Sequence, residues 1–170
     1  VVARVRGYAK RQRRTPEPVD LARTIDEALS HLKPGPKTTV RREVAPNVFV
    51  AGDPLELELL VLNLVKNAVQ ALDAAEGGTV TVTLARTDEF GAVLRVTDDG
   101  PTLSDEIFAK LLKVSESVKE GGLGLGLAIV RNIVDEHGAT LTIERLPERG
   151  LAVTVRFDTL NPNDPADKTA

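Results

Sequence analysis

The sequence predicts an α+β domain in which helices cover one face of a sheet. Three observations carry that prediction. Segments with strand-like alternation come in pairs: TTVRREV with NVFV, TVTVTLAR with AVLRVTD, and TLTIER with LAVTVRF. Helix-patterned stretches separate the pairs, and pairs so separated pack as a sheet with one helical layer. No internal repeat interrupts the scheme, and a length of 170 residues suits one domain with short appendages.

The first stretch, VVARVRGYAK, reads as the tail of a helix, with residues 1–14 expected to end a preceding helical element. The charge run KRQRR and then TPEP follow, and residues 15–18 read as a linker because proline disfavours helix just before it. A basic patch for nucleic acid or lipid is the alternative for KRQRR. Without interleaved aromatics, the run reads better as a solvated hinge. The domain is expected over 19–157, with the polar, proline-containing tail 158–170 disordered.

Asp20 is an N-cap for an amphipathic helix from Leu21 to about Leu32, which KPGP ends. Asp53 caps the next helix, with Pro54 at its first position, and that helix runs to about Ala75. TVTVTLAR and AVLRVTD read as adjacent antiparallel strands joined around Glu89–Gly91. A short helix is expected near Asp105–Leu112. Another follows the glycine stretch, starting at Ala128, and stops at His137–Gly138. TLTIER and LAVTVRF close the order as a hairpin across LPERG.

Composition narrows the chemistry. With no cysteine, a disulfide framework, a thiolate zinc site and a cysteine nucleophile are excluded. Four Phe, one Tyr and no Trp leave the core to Leu, Val, Ile and Ala. A net charge of −3 gives no reason to expect nucleic acid. The most apolar run, Leu55 to Leu72, carries Glu56, Glu58, Asn63, Lys66, Asn67 and Gln70. It is too polar for a membrane span, which needs about 20 mostly apolar residues. The chain is therefore expected to be soluble and cytoplasmic, reaching a membrane only through parts outside it.

Three constellations carry chemistry. In LVLNLVKNAVQAL, Asn63, Asn67 and Gln70 share one face of an otherwise apolar helix. A buried amide without partners costs about 1–3 kcal/mol. The face is therefore either a polar edge meeting solvent or a site for a hard metal ion or phosphate, since an amide oxygen suits Mg²⁺. In VTDDGPTL, Asp98 ends a strand just before Gly100. It is either a simple Asp-Gly turn or a carboxylate deep in a pocket that accepts a hydrogen bond from an exocyclic amine such as adenine's. In EGGLGLGLAIV, alternating glycines precede a helix, so backbone N–H groups can approach an anion at a helix N-terminus. The stretch matches neither G-x-G-x-x-G after a strand nor a Walker loop.

In this order and spacing, NLVKNA, DDGPT and GLGLGLA resemble the N, G1 and G2 boxes of the ATP-binding domain of sensor histidine kinases. That domain shares a superfamily with gyrase, MutL and the heat-shock chaperone ATPase. The resemblance runs from about Val19 to Phe157, and VRGYAKRQRRTPEPVDLARTIDEAL resembles the passage from the dimerisation helix pair into this domain. It implies a Bergerat-type two-layer α/β sandwich: a mixed, mostly antiparallel sheet on one layer of about three helices. It further implies ATP and Mg²⁺ as ligands, with transfer of the γ-phosphoryl group to a histidine on a dimerisation domain outside this chain. The expected partners are that domain, as a homodimer, and a response regulator.

By the same resemblance, Asn67 coordinates Mg²⁺, with Asn63 and Gln70 near the phosphates. Asp98 takes the adenine amino group beside Gly100 and Thr102. The run Gly122, Leu123, Gly124, Leu125, Gly126 and Leu127 lines the triphosphate, residues 101–121 form a mobile lid, and Lys119 stands where some members have a lid cation. The bland alternative for Lys119 is a solvated loop lysine. No residue here is assigned as acid, base or nucleophile. Asn63 occupies the position at which the hydrolysing relatives have a glutamate that orients water, so ATP hydrolysis is disfavoured.

Some residues depart from the family pattern. Thr102 replaces the second G1 glycine and is costly, by about 1–2 kcal/mol, if the backbone there is left-handed. Leu123 replaces a hydroxyl residue, and around FAKLLKVSESVK only Phe108 is aromatic. These departures motivate a second reading, a nucleotide-binding but non-catalytic signalling module. Neither His31 nor His137 sits in an acceptor motif, and both read as structural, His137 as a cation favoured by a helix C-terminus.

Overall fold

The structure, a computed structural model, describes residues 16–87, 91–116 and 125–158. Helix α2, Pro54–Ala74, organises it. The Asp53 carboxylate accepts from the N–H groups of Leu55 at 2.8 Å and Glu56 at 3.3 Å, with Pro54 at the first helical position. Leu57, Leu60, Val61, Leu64, Val65, Ala68, Val69 and Leu72 are buried along it, recurring at three- and four-residue steps. This apolar stripe lies against the sheet strands β4, Gly78–Thr87, and β5, Gly91–Asp98.

The sheet has five strands in the order β2–β4–β5–β7–β6, where β2 is Thr38–Val44, β6 is Thr140–Arg145 and β7 is Leu151–Asp158. β2 runs parallel to β4 and every other pairing is antiparallel, so the mixed, mostly antiparallel expectation holds. Val80, Val82, Leu84, Leu94 and Val96 alternate onto the helix side and are buried there. Helix α1, Leu21–Ser30, packs on α2, capped by Asp20, whose carboxylate accepts from Ala22 N–H at 3.0 Å. Arg42 of β2 holds Asp26 of α1 through two nitrogen–oxygen contacts of 2.5 and 3.1 Å.

The architecture departs from expectation in three places. A separate two-stranded antiparallel sheet joins β1, Glu17–Asp20, to β3, Phe49–Gly52, so NVFV does not enter the main sheet. β1 includes Pro18 of the TPEP stretch, because an edge strand can spare the missing N–H. Buried Val19 and Val50 face inward from the pair. Secondly, the short helix expected near Asp105–Leu112 runs on to Glu116: α3, Asp105–Glu116, packs against α4, Leu125–Glu136, and completes four helices among the described residues. Thirdly, α4 opens at Leu125 instead of Ala128, which brings Gly126 into its first turn.

Candidate functional site

The polar face of α2 and the first turn of α4 meet directly. Asn63 and Asn67 are half-buried and Gln70 is exposed. The Asn63 amide donates to Leu59 O at 2.7 Å, back along its own helix, which leaves its oxygen outward. The Asn67 amide has no hydrogen-bond partner among the described residues. A Cβ built on Gly126 would lie 2.9 Å from Asn67 Oδ1 and 3.2 Å from Asn63 Oδ1, so a larger residue there would displace the amides. Glycine in the first turn thus sets the N-terminal end of α4 against two amide oxygens.

Asp98 ends β5 on the helix-facing side, in register with Val80. Its carboxylate accepts from Gly100 N–H at 2.9 Å, and the Leu151 N–H also donates to it. Burial raises its pKa above the ordinary 3.8, and the neighbouring Asp99 charge adds to the rise against those two hydrogen bonds. Leu72, near the end of α2, lies beneath this corner, with Cδ2 3.2 Å from where a Gly100 Cβ would stand. One helix therefore runs from the asparagine pair to the aspartate. Asp99 is otherwise engaged, accepting from Thr79 N–H at 2.7 Å.

The remaining expected residues divide. Thr102 is exposed, and Asn47 is the described non-glycine residue with positive φ, so the anticipated strain at Thr102 does not arise. Leu125 opens α4, while the Leu127 side chain is buried and leaves only its backbone for a ligand. Lys119, Gly122, Leu123 and Gly124 lie outside the described residues. His31 caps α1 and stands 3.5 Å from Glu58. The His137 ring accepts from Asp53 N–H at Nε2, 3.2 Å away, while Nδ1 lies 2.8 Å from Ile133 O. It has the structural role expected, bridging α4 and the start of α2 through its two ring nitrogens.

Two contributions had no motif to announce them. The β6–β7 turn sits on Asp98: Gly150, at φ +94°, brings its backbone so close that a Cβ would stand 1.8 Å from Asp98 O. The other is an open cleft of about 720 Å³ lined by Arg41, Thr79, Thr81, Thr97, Asp98, Asp99 and residues 146–149. Strand alternation puts its arginine and threonines on the sheet face away from the helices. The cleft lacks Asn63, Asn67 and Gly126, so it is a different surface from the asparagine–glycine contact, which joins the sequence motifs.

Comparison with known proteins bears on this geometry. The family model for histidine kinase-, DNA gyrase B-, and HSP90-like ATPases matches residues 52–161. The C4-dicarboxylate transport sensor protein DctB of Rhizobium meliloti is 31% identical over 149 residues, covering 84% of this chain and 24% of that protein. Sporulation kinase A of Bacillus subtilis is 30% identical over 111 residues, covering 65% of this chain and 18% of that protein. This chain thus spans about a quarter or less of the length of these curated relatives. Among solved structures, a mycobacterial sensor histidine kinase, MprB, superposes with a TM-score of 0.71 at 31% identity, covering 83% of this chain and 97% of that one. The nucleotide-free catalytic domain of histidine kinase ThkA shares the fold, with a TM-score of 0.69 at 23% identity, covering 87% and 100% of the two chains. No helix among the described residues is long and apolar enough to cross a membrane.

Proposed function

Because this chain belongs to the histidine kinase-, DNA gyrase B-, and HSP90-like ATPase family, we propose that it is the ATP-binding catalytic domain of a two-component sensor histidine kinase. It delivers the γ-phosphoryl group of ATP to a histidine on a dimerisation domain outside this chain, from which a response regulator draws it. The observation that carries this reading is the Gly126 contact, where two amide oxygens and a helix N-terminus converge with no Cβ between them. Amide oxygens suit a hard cation, and free N–H groups suit phosphate oxygens.

The unpartnered Asn67 amide fits Mg²⁺, with the remaining ligands coming from phosphates and water, and Gln70 stands one turn further on. When bound there, Mg²⁺ supplies charge neutralisation to the phosphates. Asp98 holds the adenine amino group, and its two backbone hydrogen bonds orient the carboxylate for that contact. Gly122, Gly124 and Gly126 offer backbone N–H groups to the triphosphate, with Lys119 as a cation beside it. Asn63 cannot take a proton from water, so bound ATP waits for a better nucleophile. An imidazole nitrogen of the acceptor then forms a bond to the γ-phosphorus as the bond to the ADP oxygen breaks in line.

The test mixes this chain with Mg·ATP and a separately produced dimerisation helix pair carrying the acceptor histidine. Acid-labile phosphate is expected on the acceptor and is expected to vanish with Asn67→Ala. Tight ATP binding with no phosphate on the acceptor would instead identify a non-catalytic signalling module, the reading that Leu123 and the sparse aromatics near Phe108 favour.

A further inference from the structure

Arg145, the last residue of β6, reaches across to the start of α3. Its Nη1 donates to Leu103 O at 3.2 Å and to Asp105 Oδ1 at 2.7 Å. The guanidinium carbon lies 4.9 Å from the centroid of the Phe108 ring. One planar side chain therefore grips a carbonyl, a carboxylate and an aromatic face within the opening of one helix. Lysine keeps the charge but lacks the planar guanidinium that lies over the Phe108 ring.

The other side of the same hairpin rests on Asp98. Leu146 N–H donates to Gly150 O at 3.0 Å and closes the turn. Gly150 presses on the Asp98 carbonyl, and Leu151 N–H donates to the Asp98 carboxylate. None of the described side chains of α3 is fully buried, and Ile107 is 53% exposed. An element with so little buried surface takes its position from a few specific contacts.

We propose that Arg145 is a positioning residue that clamps the first turn of α3 to the β6–β7 hairpin, so that occupancy of the Asp98 corner is transmitted to α3. The clamp stands on these contacts alone; the transmission rests on the nucleotide-binding reading above.

Amide hydrogen exchange over residues 104–116 tests both parts, in the free chain and with Mg·AMP-PNP. The variants are Arg145→Ala, Arg145→Lys and, as a control on the same hairpin, Arg149→Ala. In the free chain, Arg145→Ala is expected to speed exchange of α3 about tenfold with β5 and β6 unchanged, Arg145→Lys to fall between, and Arg149→Ala to leave α3 unchanged. AMP-PNP is expected to slow α3 in the wild type and to have no effect on α3 in Arg145→Ala. Wild-type exchange of α3 in free Arg145→Ala would overturn the clamp. Faster exchange that AMP-PNP still restores to the wild-type level would overturn the transmission. If calorimetry finds no AMP-PNP binding to the wild type, the nucleotide reading and the transmission fall together, while exchange in the free chain still decides the clamp.

Discussion

Helix α2 buries eight side chains between the sheet and its helical neighbours, whereas none of the described side chains of α3 is fully buried. The two helices divide the work accordingly. Asn63 and Asn67, proposed above to face the nucleotide and its metal, ride on the helix with the most buried side chains. α3 lies on α4 and on one arginine, where it can shift without opening the core. Side chains on a packed element keep their geometry, and elements with few buried contacts are the ones that open first.

The contrast can be broken most forcefully in the core. Leu60→Ala, at a fully buried site of α2, is expected to cost about 2–5 kcal/mol in urea unfolding. Next in size, Gly126→Ala is expected to weaken Mg·AMP-PNP binding by about ten- to a hundredfold, or about 1.4–2.8 kcal/mol, by calorimetry. Its melting temperature should hold, because the Asn67 amide can move aside and alanine favours helix. An unchanged affinity would remove Gly126 from the site.

Asp98→Asn sharpens the comparison at the far end of α2. Adenine nucleotide affinity is expected to fall about tenfold as a charge-assisted hydrogen bond is lost. Stability moves the other way. Because the folded pKa is raised, the Asp98 contribution is favourable below about 3.8 and is lost as pH rises through the raised value. Asp98→Asn should therefore gain stability relative to wild type at pH 7 and lose that advantage near pH 3 in paired denaturation curves. The smallest effect belongs to α3: Ile107→Ala, 53% exposed, is expected to stay within about 0.5 kcal/mol of wild type. A loss comparable to that of Leu60→Ala would erase the distinction between the helices.

What was legible in the sequence followed the range of the interactions. Asp53-Pro54 announced α2 because capping is decided within four residues, and alternation announced the strands of the main sheet. β1 escaped notice because Pro18 argues against regular structure locally, while pairing with Ala51 decides the matter from far along the chain. α4 starts three residues before Ala128 for a similar reason. Glycine propensity speaks against Gly126 as helix, but its close approach to the Asn63 and Asn67 amides favours glycine in that turn. The three motifs could be read as separate signals, yet nothing local states that the first and third touch. Arg145, about forty residues from Leu103 and Asp105, left no local signal at all.

The central claim is that the Asn67 amide, facing Gly126, carries the metal-dependent part of nucleotide binding. Calorimetric titration of AMP-PNP into the wild type and Asn67→Ala, each with Mg²⁺ and with EDTA, tests it directly. Wild-type affinity should drop when Mg²⁺ is removed, and Asn67→Ala should bind with the same weak affinity in both conditions. An Asn67→Ala chain that kept the full wild-type dependence on Mg²⁺ would contradict the claim.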